Sequence, residues 1–308
     1  MSLWINLQQM GVICILVAIG IGLKKRGVVD EQTSRKLSAI VVDICNPALI
    51  MASILDGKLT ASHADLLRAL GVGAAFYALL VVTGLLLPCI LGAKGMQKRD
   101  YHLMSVYTNV GFLGIPLARA ILPPKAILYV IVINVFYSLL FYTHGMAVLG
   151  ASEGRNLRRI LNPGMIMAVL SLVITWFGIG LPPILAGTVS YVGNATVFLS
   201  MVLLGFSISW QKLKAALKEA RIWAFFFLRM ILLPIGIVFL MRALGFDRTA
   251  ILAMCLMTAV PVGNLPMIQA EKMGQDTRLL SSAIAMTTTL SVISITLLIA
   301  LASLVAPA

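Results

Sequence analysis

The sequence predicts an all-α polytopic membrane protein, with ten transmembrane helices arranged as two inverted five-helix repeats. Three observations predict it. With 308 residues, 60% of them hydrophobic, and a mean hydropathy of +1.00, the chain has too little polar surface for a water-soluble domain. Its apolar residues fall into blocks of about 20, the length that crosses a bilayer as a helix. The fourth block in each half is interrupted by glycine and proline.

Span 1 covers residues 3–23. Its amino terminus lacks the positive region of a cleaved signal and stays apolar up to Lys24-Lys25-Arg26, so it reads as a retained first span. Span 2 (33–55) carries a carboxylate, Asp43, in Ile-Val-Val-Asp-Ile-Cys-Asn-Pro, and span 3 covers 65–92. Span 4 (102–122) should be broken by Gly111, Gly114 and Pro116. Span 5 (126–150) holds Asn134, Tyr137, Tyr142, Thr143 and His144, and span 6 covers 160–181. The glycosylation sequon at Asn194 is discounted because it lies inside span 7 (187–209). Span 8 (222–244) contains Arg229; span 9 (249–271) should be broken by Pro261, Gly263 and Pro266; span 10 (279–305) is rich in Ser and Thr. Superposing Pro116 on Pro266 aligns the two breaks at the same place in each half.

The net charge of +13 is unevenly placed. Loops after odd-numbered spans hold 17 Lys and Arg, such as Lys24, Lys98, Arg155 and Lys214, against 6 in the opposite loops. That asymmetry places the odd loops in the cytoplasm and both termini outside. Attraction to anionic lipid accounts for the basic balance, so no nucleic acid is expected. Five spans per half start the second half on the opposite face, giving inverted repeats at 1–155 and 156–308. The short loops predict no appended soluble domain.

A helix that breaks in hydrocarbon strands backbone donors and acceptors, so the break must be buried in protein or line a wet cavity. The half-helix that restarts offers its N–H groups and positive dipole end to an anion; the one that ends offers carbonyls to a cation. Pro116 and Pro266 suit the first turn of a restart, where a missing N–H costs nothing. Asn264 is placed to cap a restart or reach a ligand, with Asn109 the corresponding amide. A simple proline kink is the structural alternative, but two breaks at matching positions point to the substrate site of a secondary transporter.

Asp43 is an intramembrane carboxylate, a functional candidate for binding a cation, relaying a proton or orienting substrate; the alternative is a buried group bonded near Asn46 or to Arg229. Asn46 shares its helical face, and Pro47 loosens the turn between them. Arg229 reads as structural and near enough to the cytoplasmic end to snorkel. The polar residues of spans 5 and 10 suit helix packing, with pathway lining the alternative. Cys14, Cys45, Cys89 and Cys255 read as four small buried thiols, and His63, His102 and His144 share no ligand spacing. No metal or cofactor is expected.

These residues resemble the auxin efflux carrier family, which includes plant PIN carriers and bacterial carriers of malate or malonate. The clearest match is Ala259-Val-Pro-Val-Gly-Asn-Leu-Pro-Met-Ile-Gln-Ala-Glu-Lys-Met-Gly-Gln-Asp; Asn109-Val-Gly-Phe-Leu-Gly-Ile-Pro, Asn46-Pro47 and Asn162-Pro163 support it. The resemblance covers essentially the whole chain. It implies that helices 4 and 9 cross at their breaks, where a small organic anion binds. Helices 1, 2, 6 and 7 would form a scaffold, and helices 3–5 and 8–10 a moving transport domain. Asn109, Pro116, Pro261, Asn264 and Pro266 would lie at the crossing, with Gly111 and Gly114 beside them. The long cytoplasmic loop of some plant carriers is absent, which favours a compact bacterial-type carrier in the cell membrane.

The expected function is therefore alternating-access transport of carboxylates, driven by a gradient of H+ or Na+ or by the membrane potential, with Asp43 and Asn46 as coupling or gating groups. A sodium-coupled symporter like the bile-acid carriers is the nearest alternative, and a non-transporting membrane sensor a more distant one. An embedded enzyme would need convergent catalytic groups that this chain lacks. Related folds are often homodimers.

Overall fold

The computed structural model describes residues 3–55, 62–150 and 161–306; the predicted loop charges Lys58, Arg155, Arg158 and Arg159 lie outside the described residues. Within them the chain is helical, and its β-type pairing is an isolated bridge. The helices are α1 Leu3–Lys25, α2 Glu31–Leu55, α3 His63–Ile90, α4 Gly95–Val106, α5 Val110–Ile121, α6 Ala126–Val148 and α7 Pro163–Phe177. They continue as α8 Pro183–Ser207, α9 Trp210–Leu217, α10 Ala220–Ala243, α11 Arg248–Ala259, α12 Asn264–Lys272 and α13 Arg278–Val305. Six of them, α2, α3, α6, α8, α10 and α13, are long and apolar enough to cross a membrane; α5, α7 and α11 are shorter apolar helices.

Two elements depart from expectation. The helix leading into the first break starts at Gly95 rather than near residue 102, because Lys98, Arg99 and Asp100 are compatible with helix and Arg99 pairs with Asp100 at 2.7 Å. α9 occupies what reads as a loop: Ser209 caps it by accepting from the Lys212 amide, and Leu213 and Ala216 bury one face.

Four helices widen locally into π turns, at Val41–Cys45, Val110–Gly114, Phe141–Gly145 and Phe226–Leu232. The first, second and fourth end two residues before Pro47, Pro116 and Pro234. In each, the intervening residue donates five positions back: Asn46 to Val41, Ile115 to Val110 and Leu233 to Leu228. A proline ring clashes with the carbonyl one turn earlier, and the wider turn moves that carbonyl aside.

The buried core is mainly apolar with polar side chains embedded in it, and the outer surface is apolar as well. Ser105, Thr258, Thr287 and Ser291 are buried, while Val82, Leu85, Leu86 and Ile90 on α3 are exposed, as a lipid-facing surface requires. α1 packs on α8, α2 on α7 and α8, α3 on α4 and α6, and α11 on α10 and α13. At the α1–α8 contact a Cβ on Gly20 would overlap the Val202 carbonyl, and one on Gly205 the Val17 carbonyl, so both backbones need glycine to approach. Lys24 closes this pair by donating from Nζ to the Phe206 (2.8 Å) and Ile208 (2.7 Å) carbonyls at the end of α8. Replacing Lys24 with Met is expected to cost about 1 kcal/mol and to lower the melting midpoint in detergent by about 2–4 °C; an unchanged midpoint would remove this cap from the account.

Candidate functional site

The two helix interruptions lie against each other. α4 ends at Val106 and α5 begins at Val110; α11 ends at Ala259 and α12 begins at Asn264. Across the gap the Asn109 amide donates to the Pro261 carbonyl (2.8 Å) and the Gly263 amide to the Tyr107 carbonyl (2.9 Å). These bonds make an antiparallel bridge between Thr108 and Val262. The Val262 amide donates to Thr287 Oγ1 on α13 at 3.4 Å. Each break therefore supplies backbone partners that the other has lost. A kink within one continuous helix does not describe this arrangement.

The bridge also corrects the register. With Thr108 opposite Val262, Pro266 lies four residues beyond its bridge residue and Pro116 eight beyond its own, so the two prolines are not equally placed about the crossing. Pro266 does sit in the first turn of α12, but α5 restarts at Val110, leaving Pro116 well inside it, with Gly111 and Gly114 in its opening π turn. In π register Pro116 would have donated to Gly111. The Gly111 carbonyl instead accepts from Asn46 Nδ2 on α2.

Beside the bridge is a cavity of about 530 Å³. Of the residues singled out from sequence, Asp43, Asn46, Asn109, Gly111 and Asn264 line it, whereas Gly114, Pro116, Pro261, Gly263 and Pro266 are outside the lining. Three helix N-termini meet there: α5 through Val110, Gly111 and Phe112, α12 through Asn264 and Leu265, and α7 through Pro163 and Gly164. Asn162 caps α7 by accepting from the Met165 amide at 2.9 Å. Neither Asn109 nor Asn264 caps its helix by side chain, which leaves both amides facing the cavity. Asn134, Tyr137, Ser138 and Tyr142 of α6 and Thr288 of α13 complete a polar wall that the sequence suggested chiefly for packing. A smaller space of about 180 Å³ shares Asn264, Ser207, Ile268 and Thr288 and reaches Lys212 of α9. The third N-terminus escaped sequence reasoning, although Asn162-Pro163 is a legible capping signal.

A family model described as membrane transport protein matches residues 7–157 and 148–299. The chain belongs to this family. It is similar to an uncharacterized transporter of Methanocaldococcus jannaschii, 25% identical over 299 residues that cover 93% of this chain and 95% of that protein. It is likewise similar to an uncharacterized transporter of Methanothermobacter thermautotrophicus, 26% identical over 302 residues, with 92% and 94% covered. Membership bears out the resemblance to the auxin efflux carriers and makes the protein a membrane transporter, not an enzyme.

In this transporter Asp43 lies in the π turn of α2, exposed at the cavity, and no ion pair joins it to any described residue. It does not meet Arg229. That arginine is fully buried rather than snorkelling; Nε donates to the Ser105 carbonyl (2.8 Å) and Nη1 to the Thr258 carbonyl (2.9 Å). Asn46 is buried, with Oδ1 unpartnered beside the cavity.

Two histidines with unrelated sequence positions come together. His102 and His144 approach at 3.3 Å between Nε2 atoms, and His144 Nδ1 is 2.7 Å from Tyr107 Oη. Because Tyr107 donates to the Leu140 carbonyl, its Oη is left to accept from His144 Nδ1–H. Among the described residues no group of His, Cys, Asp and Glu could hold a metal. Cys45 and Cys255 are buried as expected; Cys14 and Cys89 are exposed on the outer surface instead.

Proposed function

We propose that this transporter carries small organic anions, carboxylates such as malate or malonate, by secondary active or potential-driven alternating access. The observation that carries the reading is the meeting of the uncapped N-termini of α5 and α12, with Asn109 and Asn264, at one cavity. Each N-terminus carries about half a positive charge and unsatisfied N–H donors, which suits a carboxylate without a basic side chain. Arg35, at one edge of the cavity, and Lys212, in the adjoining space, provide an attractive entry for an anion.

The architecture proposed with it is ten spans in two inverted repeats, 1–155 and 156–308, in the cell membrane with both termini outside. α4 with α5 and α11 with α12 would each make one broken span. The contacts among α1, α2, α7 and α8, and among α3, α4 and α6 and α10, α11 and α13, support a scaffold and a transport domain that rock against each other. Asn46 would report that motion, since it holds the Gly111 carbonyl from the scaffold side.

The test is counterflow. Purified protein in liposomes preloaded with malate, malonate, citrate, a 2-oxo acid or indole-3-acetate should accumulate labelled tracer of the anion it carries; failure to exchange any of them, by folded protein, would overturn the proposal. Asp43 is the proposed coupling or gating carboxylate. Asp43→Asn should then slow exchange, and an unchanged rate with unchanged pH and sodium dependence would remove Asp43 from that role.

A further inference from the structure

The half-helices that end at the crossing, α4 and α11, each leave carbonyls without helical donors, and each carries about half a negative charge there. Two such ends together offset about one elementary charge, the requirement for a single cation. Arg229 meets it. Its guanidinium bridges the Ser105 carbonyl in the last turn of α4 and the Thr258 carbonyl in the last turn of α11. The side chain is fully buried, and no carboxylate among the described residues pairs with it. A buried cation without an acidic partner is costly unless something else supplies the negative potential. Here the two helix ends supply it. Nη2 has no partner, so hydrogen-bond economy does not explain the choice of residue, whereas charge does.

We infer that Arg229 is a resident cation in the position where the crossing would otherwise need a bound alkali ion. Arg229 is thus a positioning residue: it fixes the ends of α4 and α11 to each other, so the bridged breaks move as one body and the transporter cycles without sodium. This deepens the transport reading by excluding sodium as the ion required at the crossing.

The experiment measures melting of purified protein, and anion exchange in liposomes, in sodium, potassium and choline chloride, for the wild type, Arg229→Ala and Arg229→Lys. Wild-type melting and exchange are expected to be the same in all three salts. Arg229→Ala should melt about 6 °C lower or more, and about 10 mM guanidinium should restore most of the loss by refilling the site. Arg229→Lys, which keeps the charge but not the two-armed geometry, should fall between. A sodium requirement in the wild type overturns the inference even if neither variant folds. So does Arg229→Ala melting like wild type, or a folded Arg229→Ala that guanidinium fails to stabilise. The melting measurements stand whether or not any tested anion exchanges, so failure of the carboxylate reading remains distinguishable.

Discussion

Gly263→Val is expected to leave little folded transporter. The glycine has an ordinary φ of −75°, so its conformation does not demand glycine; its surroundings do. A Cβ would lie 2.9 Å from the Thr108 carbonyl oxygen and 3.0 Å from that of Tyr107. Both are backbone atoms held by the crossing and cannot swing away. To admit valine the breaks must separate, losing the Gly263-to-Tyr107 and Asn109-to-Pro261 bonds. Leaving those backbone groups unpaired costs about 2–6 kcal/mol, enough to shift melting by roughly 4–20 °C if protein is made at all. Gly111→Ala is the control: its Cβ would meet Asn46 Nδ2 at 3.6 Å and Asn134 Oδ1 at 3.7 Å, ordinary contact distances. Fluorescence-detected size exclusion with thermal challenge separates the two. If both variants behave like wild type, the crossing is looser than described.

Asn264→Ala is expected to remove most exchange while leaving the fold intact. Asn264 opens α12, caps nothing, and borders both the main cavity and the space leading to Lys212. A hydrogen bond from its amide to a carboxylate would be worth about 1.5–3 kcal/mol, or a loss of about 10- to 150-fold in exchange below saturation. Asn162→Ala should act differently, since Asn162 Oδ1 is committed to the Met165 amide. Its cost should appear in melting, at about 1 kcal/mol, before it appears in the concentration dependence of exchange. Equal exchange by wild type and Asn264→Ala would move the anion site away from α12.

The two interruptions were legible because glycine and proline in the middle of an apolar run contradict the helix that the run otherwise requires. Their exact positions were less so. Proline is the most visible residue in each break, yet Pro116 lies inside α5, where a π turn and Asn46 accommodate it. The chain opens instead at Tyr107–Asn109, of which Asn109 alone stood out in sequence. Arg229 shows the same limit from the other side. A lone arginine in an apolar span declares its cost but not its partner, and the partners are carbonyls 124 and 29 residues away that every amino acid carries.

The sequence by itself determined that this chain lives in a membrane, that two of its spans are interrupted, and to which family of transporters it belongs. Those follow from hydropathy, backbone chemistry and motif, all of which are local. Tertiary structure alone decided that the interruptions pair through Thr108 and Val262, that three helix N-termini share one cavity, that His102 meets His144, and that Arg229 holds two helix ends. The reason is physical. Backbone donors, carbonyls and helix dipoles carry no side-chain signature, so what they bind depends on which chain segments the fold brings within about 3 Å of them.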